Sequence, residues 1–331
     1  MKKYLLSIAI LLSYFIGLSQ SSMPSKKREV KVSKYNLNLD KNTPKPSSNQ
    51  LNVDFEYQQK RSFNYQYSLY LNSDLSNKNF PALLSAYEID SSNSELYFEL
   101  AKYYELKQNS SQKKAFCKKL KATKLSPALR EYAYNTLMSV EKNGILITYG
   151  EDDTYPIWIL QSLEKIRTDV KVITYDLLVT KEYRGQLKKD LGLKFAKKYS
   201  NKLKVLQDIA VKNSSKPIYY ALTVSHSALK ELKSNLYPTG LALKYSKKKF
   251  SNNSILMVNW NNKFKKQYIS NSTNSNKIKK LNMNYVLPLI QISGHYKSTN
   301  LIHQHQQAIK MIRAIGKNAE KTKQIEALLT K

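Results

Sequence analysis

Residues 143–178, NGILITYGEDDTYPIWILQSLEKIRTDVKVITYDLL, decide how the chain is organised. GILITYG is a short apolar and β-branched run, long enough for a buried strand and too short for a buried helix. Gly150 to Pro156 reads as a turn with three consecutive acids. Ile157, Leu160, Leu163, Glu164 and Arg167 follow a helical spacing, so a helix is expected to begin near Tyr155 with Pro156 in its first turn. VKVITYD reads as a second buried strand. Two buried strands joined by a helix make a right-handed, parallel βαβ unit. No motif in the stretch declares a reaction.

Downstream, Lys181 to Asp208 reads as helical, with Leu187, Leu191, Phe195 and Tyr199 four residues apart. KPIYYALTV is a third strand, and SHSALKELKSNL a helix capped by Ser225 or Ser227. Pro238 and Gly240 break it, and GLALKYS is a short edge strand. Alternating strands and helices give an α/β fold, a small parallel sheet with covering helices, over residues 143–250. Upstream, residues 53–142 read as helical, the apolar pattern starting at Tyr65, Leu69 and Leu71. Two similar segments end after Asp90 and before Pro127, near the tetratricopeptide period of roughly 34 residues. A tetratricopeptide-like hairpin and an ordinary helical hairpin both fit. Residues 251–331 hold a Lys- and Asn-rich segment interrupted by ILMVNW and then a second helical hairpin. In it Pro288 bends the first helix or sits in its first turns. Ser298 or Thr299 caps the last helix, which runs toward Leu329 with Ile302, Ile309, Ile312, Ile315 and Ala319 on one face.

The 331 residues carry 55 Lys and Arg against 24 Asp and Glu, a net charge of +31. Such a balance suits an anionic partner or a lysine-rich solvated surface. Lysine is spread from end to end and arginine is scarce, which disfavours nucleic acid, because nucleic-acid binders gather Arg, Lys and aromatics into one stripe. Residues 1–19 have the layout of a secretory signal: Lys2 and Lys3, an apolar run, then Gly17-Leu18-Ser19. Residues 20–52 are a polar linker. With no Cys after the signal, a periplasmic or secreted location is expected rather than a lipoprotein anchor. The single Cys117 can form no intramolecular disulfide and reads as a buried thiol.

In an open parallel sheet the ligand crevice lies outside the carboxyl ends of the strands. Here those ends deliver Glu151, Asp152, Asp153 and Thr154, then Tyr175 and Asp176, then Thr223, Ser225 and His226. Such a set can hold a divalent cation, accept from sugar hydroxyls, or carry acid–base chemistry if two carboxyls differ in pKa. Against this, Asp153 or Thr154 can simply cap the following helix, and Asp176 the next one. Asp152 is less easily explained as a cap. The turn has no Gly-x-Gly pattern and is acidic, so phosphate binding is disfavoured and no cofactor is expected. His295, His303 and His305 lack further ligands for a zinc site, so no metal is expected. No nucleophile-elbow motif supports a Ser-His-Asp triad.

Gly150, Asp153, Thr154, Tyr155, Pro156, Trp158, Arg167, Asp169 and Val170 resemble the soluble segment of a bacterial membrane-protein family, domain of unknown function 2723. That family is related to the animal transmembrane protein 260-like O-mannosyltransferases. Glu151 and Asp152 depart conservatively from its acid-amide pair. Pro217, Ile218, Tyr219, Ala221, Gly240, Leu241 and Ala242 resemble a second motif of the same family. The likeness spans residues 143–292. The family's transferase activity belongs to its multi-spanning membrane part, so the resemblance implies a soluble α/β and helical-repeat domain and not the transferase reaction. The expected role is an exported, non-enzymatic binding or scaffold module for an envelope protein or glycan, with peripheral membrane association. The alternative is an accessory component or enzyme of envelope glycosylation that uses the acidic rim.

Overall fold

A computed structural model describes residues 62–75 and 77–330. The expected signal sequence and polar linker lie outside the described residues. Those residues divide into two compact units, 62–116 and 117–330.

The first unit holds α1 (Phe63–Asn72), α2 (Phe80–Ile89), α3 (Leu96–Leu106) and the first half of α4 (Ser110–Thr123). The Ser62 hydroxyl accepts from Tyr65 N and caps α1, and Asn79 caps α2 in the same way. Of the residues that open the α1 apolar pattern, Leu69 and Leu71 are 40% and 43% exposed, and Tyr70 between them is 1% exposed. Tyr70 is drawn in by ring packing on Phe80 at 5.9 Å and by a hydrogen bond to Glu99. Leu83, Ala86, Leu96, Leu100 and Ala101 complete this core.

The second unit continues with α5 (Pro127–Met138), β1 (Ile145–Thr148), α6 (Glu151–Glu164), β2 (Lys171–Thr174), α7 (Tyr175–Leu178), α8 (Lys181–Leu191) and α9 (Lys204–Lys212). Then come β3 (Ile218–Ala221), α10 (His226–Leu229), β4 (Leu236–Pro238) and β5 (Ala242–Tyr245). The sheet order is β2-β1-β3-β5-β4. β1 is parallel to both β2 and β3, with Ile147 beside Ile173 and Tyr220. The expected parallel α/β core is therefore present. GLALKYS forms β5 inside the sheet rather than at its edge. It pairs antiparallel with β3 and with β4, a three-residue strand that ends at Pro238. Pro238 is tolerated there because an edge strand needs no N–H toward solvent.

Three helix boundaries differ from expectation. α6 starts at Glu151, with Gly150 at φ +91 as its N-cap, so Pro156 falls inside the helix. The acids thus occupy its first turn, where the positive end of the helix favours them. The expected helix 181–208 splits, because Gly192 at φ +62 closes α8 with bonds back to Leu187 and Lys188. Phe195 and Tyr199 then lie in a loop. Last, α11 (Asn253–Val258) runs into a five-residue π-helical turn, followed by α12 (Asn276–Asn282), α13 (Val286–Ser298), α14 (Ile302–Asn318) and α15 (Thr322–Leu329). Pro288 sits in the first turn of α13. The expected final helix is two, broken at Glu320 with φ +58. Ser298 and Thr299 do not cap α14; their hydroxyls donate to the His295 carbonyl and close α13.

The Lys- and Asn-rich segment is docked by polar side chains. The Glu131 carboxylate on α5 accepts from Gln267 N and Tyr268 N at 3.1 and 2.8 Å. The Asn135 amide, one helical turn on, receives Lys265 N and donates to the Lys265 carbonyl. Asn282 donates to the carbonyls of Tyr268 and Ile269. These bonds satisfy loop backbone that would otherwise be buried without partners.

Candidate functional site

The parallel order β2-β1-β3 brings three strand ends to one edge. The chain leaves β1 toward β2 and later crosses to β3 on its other side, so β1 and β3 flank a topological switch point, the usual place for a ligand crevice. Asp153 stands at this switch point. Its Oδ2 accepts from Thr223 Oγ1 at 2.6 Å and from Tyr149 N at 3.0 Å, tying the β3 exit loop to the β1 exit turn. The residue is 4% exposed. Burial pushes its carboxyl up to about 6, and Asp152 adds to the rise, against the two hydrogen bonds that lower it.

The other sequence candidates take separate roles. Glu151 pairs with Lys124 at 2.7 Å, and Asp152 with Lys277 at 2.5 Å. Both pairs are partly exposed. The Thr154 hydroxyl donates to the Gly150 carbonyl at 2.7 Å and lies 2.8 Å from Thr148 Oγ1, in a buried hydroxyl cluster with Thr174. That geometry fastens the first turn of α6 to the ends of β1 and β2. Asp176 is partly exposed in α7. Ser225 precedes α10 but makes no capping bond with its side chain; its hydroxyl meets that of Ser227 at 2.7 Å. His226 is held below the usual imidazole range by burial and then by Lys233. Among the described residues, neither Ser225 nor His226 is hydrogen-bonded to the carboxylates.

The sequence reading passed over Tyr149. Its ring stacks on that of Tyr175, with centroids 5.0 Å apart and planes 28° apart. Burial and then the Asp176 charge raise the phenol pKa of Tyr149. A partly exposed tyrosine therefore lies on the rim beside Asp176, with its backbone N–H on Asp153. Its position as the last residue before the turn was the available signal. Tyr132 on α5 was also passed over. It is fully buried, accepts from Asn284 Nδ2 at 2.8 Å, and its phenol is raised chiefly by burial and then by Asp153.

Arg167 and Asp169 are structural. The guanidinium clasps both Asp169 oxygens at 2.9 Å and donates to the carbonyls of Leu137, Val140 and Glu141. Asp169 Oδ2 in turn accepts from Asn143 N. The Arg-x-Asp pair thus holds the end of α5 and the entry to β1 against the start of β2. Among the described residues no group of three His, Cys, Asp or Glu side chains is placed to hold a metal ion.

Fold and site define a mixed α/β unit with a buried carboxylate at its switch point. Residues 129–193 match the family described as TMEM260-associated domain 2. The match takes in α5, the βαβ unit, the acidic first turn and the Arg167–Asp169 clasp, and supports a link to the TMEM260 family. The second resembling stretch, 217–242, lies beyond it. No curated protein and no solved structure matches the chain.

Proposed function

We propose that the chain is an exported envelope module that binds a glycan at the rim formed by the β1 and β2 exits. The observation that carries this reading is the partly exposed Tyr149, whose ring stacks on Tyr175 beside Asp176. An aromatic face takes the C–H side of a sugar, and carboxylates accept from its hydroxyls. The match to TMEM260-associated domain 2 supports a glycosylation-related setting. Within it, we assign the chain to the soluble part of the domain of unknown function 2723 group, with an envelope protein or glycan as partner and a periplasmic or secreted location. No described helix is long and apolar enough to cross a membrane.

Glycan-array binding tests the reading. Wild type is expected to bind a subset of neutral glycans, and Tyr149→Ala to lose that binding while still melting in one cooperative transition. Equal binding by both proteins overturns it. A second reading is supported by the carboxyl pKa of about 6 at Asp153. A carboxyl poised there can exchange a proton near neutral pH, as an enzyme or accessory component of glycosylation requires. Turnover of a bound glycan that is lost in Asp153→Asn, with binding kept, would favour it.

A further inference from the structure

Between Leu232 and Ala319 the chain carries fourteen lysines, one arginine and no aspartate or glutamate. Lys244 reaches Glu141, Lys277 reaches Asp152 and Arg313 reaches Glu326, acids from elsewhere in the sequence. Lys247, Lys248 and Lys249 have no acidic partner among the described residues, and all three are exposed. They follow β5 after Ser246 and lead into Phe250. The Phe250 ring lies 4.6 Å from that of Tyr237 on the edge strand β4, and both rings are partly exposed. The Lys244 ammonium stands 5.7 Å over the Phe250 ring. The root of the lysine run is fixed. Ser246 N donates to the Asn235 carbonyl at 2.9 Å, Asn235 Nδ2 donates back to the Ser246 carbonyl, and Ser246 Oγ donates to the Lys248 carbonyl at 2.7 Å.

We infer that the sheet edge formed by Tyr237, Phe250 and Lys247 to Lys249 docks an acidic polysaccharide. Three unpaired ammonium groups on a pinned loop attract a polyanion, and Lys, a hydrated point charge, takes carboxylates without a set angle. The negative faces of the rings suit the electropositive C–H side of a pyranose. Single-stranded nucleic acid is the less suited ligand. Arginine, whose planar cation adds stacking on bases, is missing from this edge. The patch uses none of the crevice residues, so it stands or falls separately from the glycan reading above.

The test uses the full chain in titrations with polygalacturonate, with dextran as the neutral control. Poly-dT and phosphatidylglycerol vesicles represent the other polyanion classes. Wild type is expected to bind polygalacturonate, more weakly as NaCl rises, and to ignore dextran. Lys247→Gln with Lys248→Gln and Lys249→Gln should weaken binding about tenfold or more. The charge-matched set Lys188→Gln, Lys197→Gln and Lys198→Gln on another surface should change it less than about twofold. Phe250→Leu should weaken polygalacturonate and leave vesicle binding unchanged. Melting temperatures equal to wild type certify that each variant is folded. The inference is overturned if both lysine sets weaken binding equally, which would mean net charge alone. It is also overturned if poly-dT or vesicles bind more tightly and lose more on the Lys247 to Lys249 change.

Discussion

Asp153 and Asp169 are both carboxylates in the same βαβ unit, yet their environments push them in opposite directions. Asp153 is buried with two hydrogen bonds on one oxygen, and its pKa rises to about 6 from 3.8. The folded protein then binds more protons than the unfolded chain between about pH 4 and 6, so stability falls as pH rises through that window. Two units correspond to about 3 kcal/mol of destabilisation at pH 7. Asp153→Asn keeps an acceptor for Tyr149 N and Thr223 Oγ1 and removes the charge. It is expected to melt higher than wild type at pH 7 and no higher at pH 4, by calorimetry at both values. A lower melting point at pH 7 would mean that the ionised carboxylate is stabilising. A group that costs stability in its native state is a candidate for function. Asp169 has the reverse sign. Hydrogen bonds from Arg167 hold its carboxyl down at about 2. Its contribution is present above about pH 4 and is lost as pH falls through 2, so Asp169→Asn should remove the acid-denaturation slope in that range.

At the scale of elements, the sequence disclosed strands better than helix ends. The runs at 145–148, 171–174 and 218–221 are apolar and fully or nearly buried, so length and residue type sufficed to find them. β4 escaped because three residues ending in proline carry no period. The start of α6 was misread because Pro156 suggested a first turn, whereas Gly150 adopts a positive φ that sequence alone does not announce. The acidic turn was legible as three acids beside a helix start, but its internal division was not. Which acid meets Lys124 and which meets Lys277 depends on the end of α4 and on α12, elements remote in sequence. Two substitutions probe such boundaries. Gly192 has φ +62 and open space around it, so Gly192→Ala should cost about 1 kcal/mol through backbone strain alone. A Cβ on Gly316 would stand 2.3 Å from Ile325 Cγ1, where α14 meets α15. Gly316→Ala should therefore cost about 1–3 kcal/mol by overpacking. Urea unfolding distinguishes the pair: equal losses would mean that Ile325 yields freely.

For the whole molecule, charge is the dominant imbalance. The net +31 makes the compact state self-repulsive, because folding brings cations closer than they lie in an extended chain. Opposing this are ion pairs such as Lys204–Glu231, Lys121–Glu164 and Arg313–Glu326, in which at least one partner is well exposed. Each exposed pair is worth about 0–1 kcal/mol and is itself screened by salt. Repulsion acts among all unmatched cations and is screened within about 10 Å at 0.1 M. The two effects predict opposite responses to NaCl. With more than two basic groups for each acidic one, relief of repulsion should exceed the loss of attraction. The melting temperature at pH 7 is therefore expected to rise when NaCl goes from roughly 10 mM to 300 mM, a range that carries the Debye length from about 30 Å to below 10 Å. A fall over the same range would mean that the ion pairs outweigh the excess charge. Polygalacturonate at low salt should raise the melting temperature as NaCl does, through mass action on the folded state. That rise should be smaller in the Lys247 to Lys249 variant, whereas the response to NaCl should persist.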